Sequence, residues 1–487
     1  MNRSISHLFV VVVLLFGLLV VWTSRWTVFS ATALQNDSLN KIALYESWKV
    51  QRGRILADNG EVLARSTRGA RGIWNREYPA GSLFAQPVGY ANVIDGAFAG
   101  IEQYRDRALS GTLQSSFESV FGPITQQTTG DDVYTTLDPT AQSLARTLLD
   151  GRVGSVVAIV PQTGAVKVMY SNPSYDPTDP SACSAPDCSL LNGVTQQLYP
   201  PGSTFKVVTA AAALDSGKYT PQSTINGQSP LQVSGKPLQN DGNTSYGDVT
   251  LTDALTNSIN TVFAQVGLSL GASTMQSYMQ RLGFYATPPL DYPSNEMSVS
   301  GEWDLQDPKN PTLLKPTTAC TAQSTYESCP DIGRMSIGQD KLLVTPLQMA
   351  MVASAVADGG TLMQPRLATR VVNSDGQVVE TINPEKAAQV MKPAAAQELA
   401  QMMTDVVEEG TGQAANLEGL DAAGKTGTAT VNVAEQLDDA WFIGFAPVSD
   451  PKIAVAVVLP HIVNGYGGVY AAPIAAQMMK TLLAEGY

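Results

Sequence analysis

The chain has 487 residues, 44% of them apolar and 15% charged, with a formal net charge of −13. That composition supports large buried cores and excludes global disorder; the acidic balance, with no Lys/Arg cluster, excludes nucleic-acid binding, which needs concentrated positive charge. His7 and His461 are the only histidines, and His7 lies in an apolar region, so neither a Ser–His–Asp triad nor a histidine-rich metal site is readily built. No metal and no cofactor are expected, and any activated nucleophile needs a base other than histidine.

Residues 8–22 (LFVVVVLLFGLLVVW) carry no charge and, with their neighbours, approach the ~20 residues of a membrane helix. Arg3 precedes them; Trp22 and Trp26 suit the outer interface. Residues 1–30 are read as a cytoplasmic stub and transmembrane anchor. A cleaved signal peptide is the alternative, with Ala31-Thr32-Ala33 as the cleavage site; Arg25, Trp26 and Phe29 separate that tripeptide from the apolar run. Either reading exports the rest of the chain, where disulfides form. Asp58-Asn59-Gly60 marks a hairpin between 54–56 and 62–64. Residues 76–130 are loop-rich, and Asp138-Pro139 opens a helix reaching about 149.

From residue 155 the chain becomes more apolar. SVVAIV, a turn at 161–164 and AVKVMYS predict a second hairpin. A helix starts near Ser203, 217–248 are polar and turn-rich, and 252–270 are helical in pattern. Residues 284–334 are expected to form a long loop region. Helices follow over 345–357, stopped by Gly359-Gly360, and over 393–409. Three strands come next, AAGKTGTATV, AWFIGFAPV and KIAVAVVLP, and then a helix over 472–485. Two strands, many helices and three more strands predict one sheet with helices packed on it. The four cysteines, Cys183, Cys188, Cys320 and Cys329, allow three pairings. The local pairs Cys183–Cys188 and Cys320–Cys329 are favoured; four reduced thiols in loops is the alternative.

Residues 199–214 (YPPGSTFKVVTAAAAL) carry the first chemical signal. Pro200-Pro201-Gly202 cannot be helical, and over 205–214 only Lys206 and Thr209 are not apolar. A helix apolar all round is buried, and residues three apart share a face, so Ser203 and Lys206 point together. Burial lowers a lysine pKa, and a neutral amine beside a hydroxyl can take its proton. By itself Ser-x-x-Lys reads as a capping serine and a snorkelling lysine; Ser38-Leu39-Asn40-Lys41 fits the same pattern in a polar setting. Ser258-Ile259-Asn260 and Lys425-Thr426-Gly427 change that. The order S-x-x-K, S-x-N, K-T-G is the motif set of penicillin-binding proteins and serine β-lactamases.

The chain resembles a class B penicillin-binding protein of the short type. Arg52-Gly53-Arg54-Ile55, Gly100-Ile101-Glu102 through Leu109-Ser110-Gly111, VAIVPQTGAVKVMYSNPSYDP from Val157, Ser336-Ile337-Gly338-Gln339 and Ala440-Trp441-Phe442-Ile443-Gly444 all fit that family. The resemblance implies an α+β transpeptidase (β-lactamase-like) fold over 151–487: a five-stranded antiparallel sheet with helices on both faces. It implies an elongated non-catalytic pedestal over 31–150, too short for an added glycosyltransferase domain. The implied activity is peptidoglycan D,D-transpeptidation. Ser203 is the nucleophile acylated by a D-Ala-D-Ala stem, and Lys206 its base. Ser258 and Lys425 relay a proton to the departing amine. Asn260, Thr426, Gly427 and Thr428 bind substrate, with the N–H groups of Ser203 and Thr428 as oxyanion donors. The implied ligands are stem peptides and β-lactams, and the implied partners a membrane cell-wall polymerase and division or elongation proteins. The catalytic domain is expected outside the cell membrane on a single-pass anchor. A D,D-carboxypeptidase or β-lactamase, or a β-lactam-sensing membrane protein on the same fold, are the rival functions.

Overall fold

The structure is a computed structural model that describes residues 3–25, 49–69, 72–93, 95–111, 129–304, 312–314, 331–416, 418–419 and 421–487. Helix α1, Arg3–Ser24, stands apart with its apolar side chains exposed. Its 18-residue windows reach a mean hydropathy of 2.7, and at 1.5 Å per residue it is about 33 Å long, enough to cross a bilayer core.

Beyond it, two sheets organise the chain. The first is built on the expected hairpin: β1 (Ile55–Leu56) and β2 (Val62–Arg68) run antiparallel across the Asp58-Asn59-Gly60 turn, and β3 (Trp74–Glu77) pairs with β2. On the other side β1 lies parallel to β4 (Asp132–Thr135). A buried ionic cluster locks this region. The Glu102 carboxylate, with no exposed surface, accepts from Arg52 Nη2 at 2.9 Å and from Arg76 Nε at 2.5 Å. Burial alone would raise the Glu102 pKa; the two guanidiniums outweigh it and hold it below the usual value.

The second sheet is the catalytic scaffold. Its hairpin, β5 (Gly154–Ile159) and β6 (Val166–Asn172), joins three strands from the far end of the chain: β9 (Ala423–Asn432), β10 (Leu437–Ala446) and β11 (Ile453–Val463). The order is β9-β10-β11-β5-β6, antiparallel throughout. Every residue of β5 is buried, and so are Ile453 to Pro460 in β11. Successive side chains on a strand point to opposite faces, so both faces are covered. Helices α2 (Pro139–Leu149), α6 (Pro346–Ala357), α7 (Pro393–Glu408) and α8 (Gly467–Ala484) pack against it. This is the expected α+β sheet with helices on both faces.

The boundary at residue 150 is not a clean cut. Strands β7 (Ala368–Val372) and β8 (Val378–Thr381) leave the catalytic part and extend the first sheet, β7 pairing with β4. Three further expectations are corrected. Residues 284–334 are not simply a loop: Gly301–Asp304 is a strand paired on both sides, with Thr312–Leu313 and Leu342–Leu343. The final helix begins at Gly467, earlier than expected, and carries Pro473 in its interior, where proline removes the hydrogen bond to the carbonyl four residues before it. The helix over 252–270 is two helices, α4 (Leu251–Thr256) and α5 (Asn260–Leu270). The break is at Ser258, held at φ 56°, a left-handed conformation that persists in a non-glycine residue only where its surroundings enforce it. The pair Cys183–Cys188 is a disulfide; Cys320 and Cys329 lie outside the described residues.

Candidate active site

The Ser203 segment is a 3-10 turn, Gly202–Phe205, running directly into α3, Lys206–Asp215. In a 3-10 turn residues i and i+3 eclipse, which sets Ser203 over Lys206. All ten residues of α3 are buried, in keeping with its apolar sequence. Two glycine contacts hold the turn in place. Gly338, at φ +78°, is so close that a Cβ there would lie 1.9 Å from Gly202 O; Gly202 N donates to Gly338 O at 3.0 Å. Gly427, in β9, faces the turn so tightly that a Cβ would lie 2.8 Å from Pro201 O and 3.0 Å from Trp441 Cβ. Trp441 in turn donates through its indole Nε1 to Pro200 O at 3.1 Å. Thus the glycine of K-T-G lets its strand approach the serine turn, which is a packing reason for that residue as well as a motif match.

The break between α4 and α5 turns the Ser258 backbone and side chain toward Lys206. Lys206 Nζ donates to Ser258 O at 2.6 Å, to Asn260 Oδ1 at 2.7 Å and to Ser258 Oγ at 3.2 Å. Asn260 Nδ2 donates to Gln239 O at 3.0 Å, which fixes the amide orientation. The pKa of Lys206 is lowered well below that of an ordinary lysine, first by burial and then by the nearby Lys425 cation; Asp241 acts in the opposite sense. Lys425 is itself fully buried and pushed down to about 7 by burial. It donates to Thr426 O at 3.1 Å.

The sequence pairing of Ser203 with Lys206 implies a direct hydrogen bond, and the structure corrects this. Among the described residues no hydrogen bond joins the two side chains: all three Nζ donors go to Ser258 and Asn260.

Ser203, Ser258, Asn260, Thr426 and Thr428 line one cleft of about 550 Å³. Strand β9 is the sheet's edge, with β10 as its neighbour. A Cβ on Gly202 would lie 2.7 Å from Thr428 O, so this carbonyl faces the serine turn. In an antiparallel strand the N–H and C=O of one residue point to the same edge, which turns the Thr428 N–H toward Ser203. The Ser203 N–H stands in the first turn of its helix, where backbone donors have no intrahelical partner. The start of α8 completes this end: Gly467 N donates to Thr428 Oγ1 at 3.4 Å, and Gly467, Gly468 and Val469 line the cleft. A helix N-terminus beside a buried lysine favours an anion.

Sequence reasoning missed Gln239, Asp241, Thr411 and Tyr466, which also line the cleft. Only the Asn240-Asp241-Gly242 turn carried any signal, and that signal was for a loop. His461 lies in β11 with its backbone N–H bound to Asp439 Oδ1 at 3.0 Å, and it is not among the cleft residues.

A serine on a helix-initiating turn, a buried lysine one turn later, an S-x-N break and a K-T-G edge strand define a class: the penicillin-recognising serine enzymes. The chain belongs to the penicillin-binding protein transpeptidase family. Residues 154–480 match the penicillin-binding protein transpeptidase domain, and residues 52–133 match the penicillin-binding protein A dimerisation domain. The chain is similar to the peptidoglycan D,D-transpeptidase PbpA of Mycolicibacterium smegmatis, at 32% identity over 517 aligned positions covering 100% of both chains. Its fold is similar to that of penicillin-binding protein A from M. tuberculosis in a ceftriaxone acyl-enzyme complex, with TM-score 0.77 and 28% identity over 90% of this chain and 100% of that one. It is also similar to a D,D-transpeptidase domain from Eggerthella lenta, with TM-score 0.76 and 30% identity over 90% of this chain and 99% of that one.

Proposed function

We propose that the protein is a membrane-anchored peptidoglycan D,D-transpeptidase that is acylated by β-lactams at the same serine. The observation that carries this reading is the convergence of three motifs, distant in sequence, on one cleft, with the buried lysine of the first bonded to Ser258 and Asn260 of the second. Ser203 Oγ attacks the carbonyl of the D-Ala-D-Ala bond. Lys206 loses its proton readily because burial and Lys425 disfavour its charge. The neutral amine then releases one of its acceptors and turns a lone pair to the Ser203 hydroxyl. Catalytic hydrogen bonds are commonly loose before substrate arrives, so the change is a side-chain rotation within a preformed site. The oxyanion is held by the Ser203 and Thr428 N–H groups, donors of a kind worth about 3 kcal/mol of barrier each.

The substrate carboxylate sits at the positive end of the cleft, against Thr426, Thr428, the start of α8 and the Lys425 charge. Asn260, whose side chain already spans Lys206 and Gln239, binds the substrate amide. Ser258 and Lys425 pass a proton to the departing D-alanine amine. The remaining acyl-enzyme is resolved by an amine of a second stem, which forms the cross-link.

Helix α1 is proposed as an uncleaved single-pass anchor with the catalytic domain outside the membrane; the Cys183–Cys188 disulfide supports export. On that surface the enzyme would work beside a membrane cell-wall polymerase and with division or elongation proteins. The test is mass spectrometry of the full-length protein after benzylpenicillin treatment. One ring-opened penicilloyl group, with the full mass of the antibiotic, should be found on the peptide containing Ser203 and none on Ser203→Ala. Equal modification of both would remove Ser203 from its role. Incubation with a thioester donor and amine acceptors then separates transfer from hydrolysis: exclusive hydrolysis would make the protein a carboxypeptidase.

A further inference from the structure

Among the described residues that line the cleft, Asp241 is the one carboxylate, and it is exposed. Its position is built rather than incidental. The side chain of the preceding residue, Asn240, is buried: its Nδ2 donates to Gly227 O and Thr244 O, and its Oδ1 accepts from Thr261 N at 2.9 Å, in the first turn of α5. One residue earlier, Gln239 O accepts from Asn260 Nδ2, while Asn260 Oδ1 accepts from Lys206. The segment carrying Asp241 is therefore tied to the same asparagine that holds the lysine. The carboxylate itself is engaged locally, its Oδ1 accepting from Gly242 N at 3.0 Å.

The lining is thus unlike on its two sides. On the K-T-G side stand the Thr426 and Thr428 hydroxyls and the start of α8, bonded to each other through Gly467 N and Thr428 Oγ1; the segment bearing Asp241 is bonded instead to Asn260, on the S-x-N side. A donor stem ends in a carboxylate, which Asp241 repels and the K-T-G side takes. The second substrate of a transpeptidase is an amine, protonated in water at neutral pH, and that cation fits beside Asp241. We propose that Asp241 is a specificity-determining residue that draws a cationic primary-amine acceptor into the cleft; this rests on the transpeptidase reading above. Asp241 is exposed, and a water-screened carboxylate about 4 Å from an ammonium raises its local concentration about fivefold. The bound ammonium gives one proton to solvent, and the neutral amine attacks the Ser203 ester carbonyl. The new C–N bond forms, the ester C–O bond breaks, and the remaining surplus proton passes through Lys206 to Ser203 Oγ. Asp241 binds and orients and does not act as the base.

The experiment compares two acceptors on the full-length protein loaded from a thioester donor. Nα-acetyl-lysinamide presents a cationic amine, and hydroxylamine is uncharged at neutral pH. Asp241→Asn should lower transfer to the lysine amine, relative to hydroxylamine, about fivefold; Asp241→Glu should restore most of it. Added salt should lower the same ratio in the unmodified protein and leave it unchanged in Asp241→Asn. An unchanged ratio in Asp241→Asn overturns the inference while leaving the transpeptidase reading intact. So does a loss confined to hydrolysis, which would make Asp241 a water-activating group. Failure of the unmodified protein to transfer to any amine would instead sink the transpeptidase reading, and this inference with it.

Discussion

Replacing Lys206 by arginine keeps the charge and removes the chemistry. A guanidinium stays protonated at any working pH and cannot take the Ser203 proton. General-base catalysis is worth about 10²–10⁴ in rate, so acylation should fall about 10³-fold, equivalent to about 4 kcal/mol of barrier. The structure adds a second cost. Lys206 has no exposed surface and finds three acceptor atoms for its three donors. Arginine brings five N–H donors into the same space. Two would lack partners, and at about 1–3 kcal/mol each the variant should lose about 2–6 kcal/mol of stability. That is a large share of a typical folding free energy of about 5–15 kcal/mol, so thermal unfolding must accompany the rate measurement. The assay is the time course of fluorescent-penicillin labelling of full-length protein in detergent. Lys206→Met is the companion variant, because it removes the base without adding donors. Labelling of either folded variant within about tenfold of the unmodified protein would refute the lysine as base, since a lost base costs at least about 10².

The two lysines also set a pH profile. Lys206 must be neutral to accept a proton and Lys425 charged to hold a carboxylate, so the second-order acylation constant should climb as Lys206 deprotonates and decline above pH about 7 as Lys425 does; a rate still rising at pH 9 would contradict this. Because the Lys425 pKa is lowered on folding from 10.5 to about 7, the unfolded chain binds more protons between those values. The Lys425 contribution to stability therefore improves as pH rises through that window, and the melting temperature of the unmodified protein should rise relative to that of Lys425→Met from pH 7 to 9. Gly338→Ala should lower both melting temperature and labelling rate, because its Cβ would meet Gly202 O at 1.9 Å from a φ of +78°; a variant matching the unmodified protein in both would show that this contact does not hold the serine turn. Glu102→Gln should destabilise by about 3–5 kcal/mol, the usual result of breaking a buried ion pair, measured by denaturant unfolding. It leaves Arg52 and Arg76 facing a neutral amide, and a loss under about 1 kcal/mol would fall outside that range.

Much of the catalytic sheet was legible because most of its strands are apolar runs bounded by turn residues and neighbours along the chain pair as hairpins; the pairing of β11 with β5, which joins the two ends of the domain, needed the fold. The α2, α6 and α7 helices were legible too, each announced by a proline at its first position and two of them by a capping Asp138 or Thr345. The local signal failed in two places. Residues 252–270 read as one helix on their apolar spacing, and the run of weak helix formers at 256–261 (TNSINT) permits a break without fixing the left-handed turn at Ser258; Lys206, arriving from 52 positions earlier, bonds its carbonyl. Residues 368–381 read as part of the catalytic half because they lie inside it, yet they pair with β4, more than two hundred positions away.

The residue types themselves determined the chemistry available here: one serine and one lysine a helical turn apart in an apolar segment, two companion motifs in a set order, no usable histidine, and an N-terminal helix long enough to span a bilayer. Those are properties of neighbours along the chain, where side-chain spacing and apolarity act directly. Which acceptors the lysine holds, that it is not bonded to the serine at rest, and that Asp241 lines the same cleft were decided only by the tertiary fold. The reason is geometric: hydrogen bonds and desolvation depend on atoms a few ångströms away in space, and the groups that meet at Lys206 come from segments that only packing brings together.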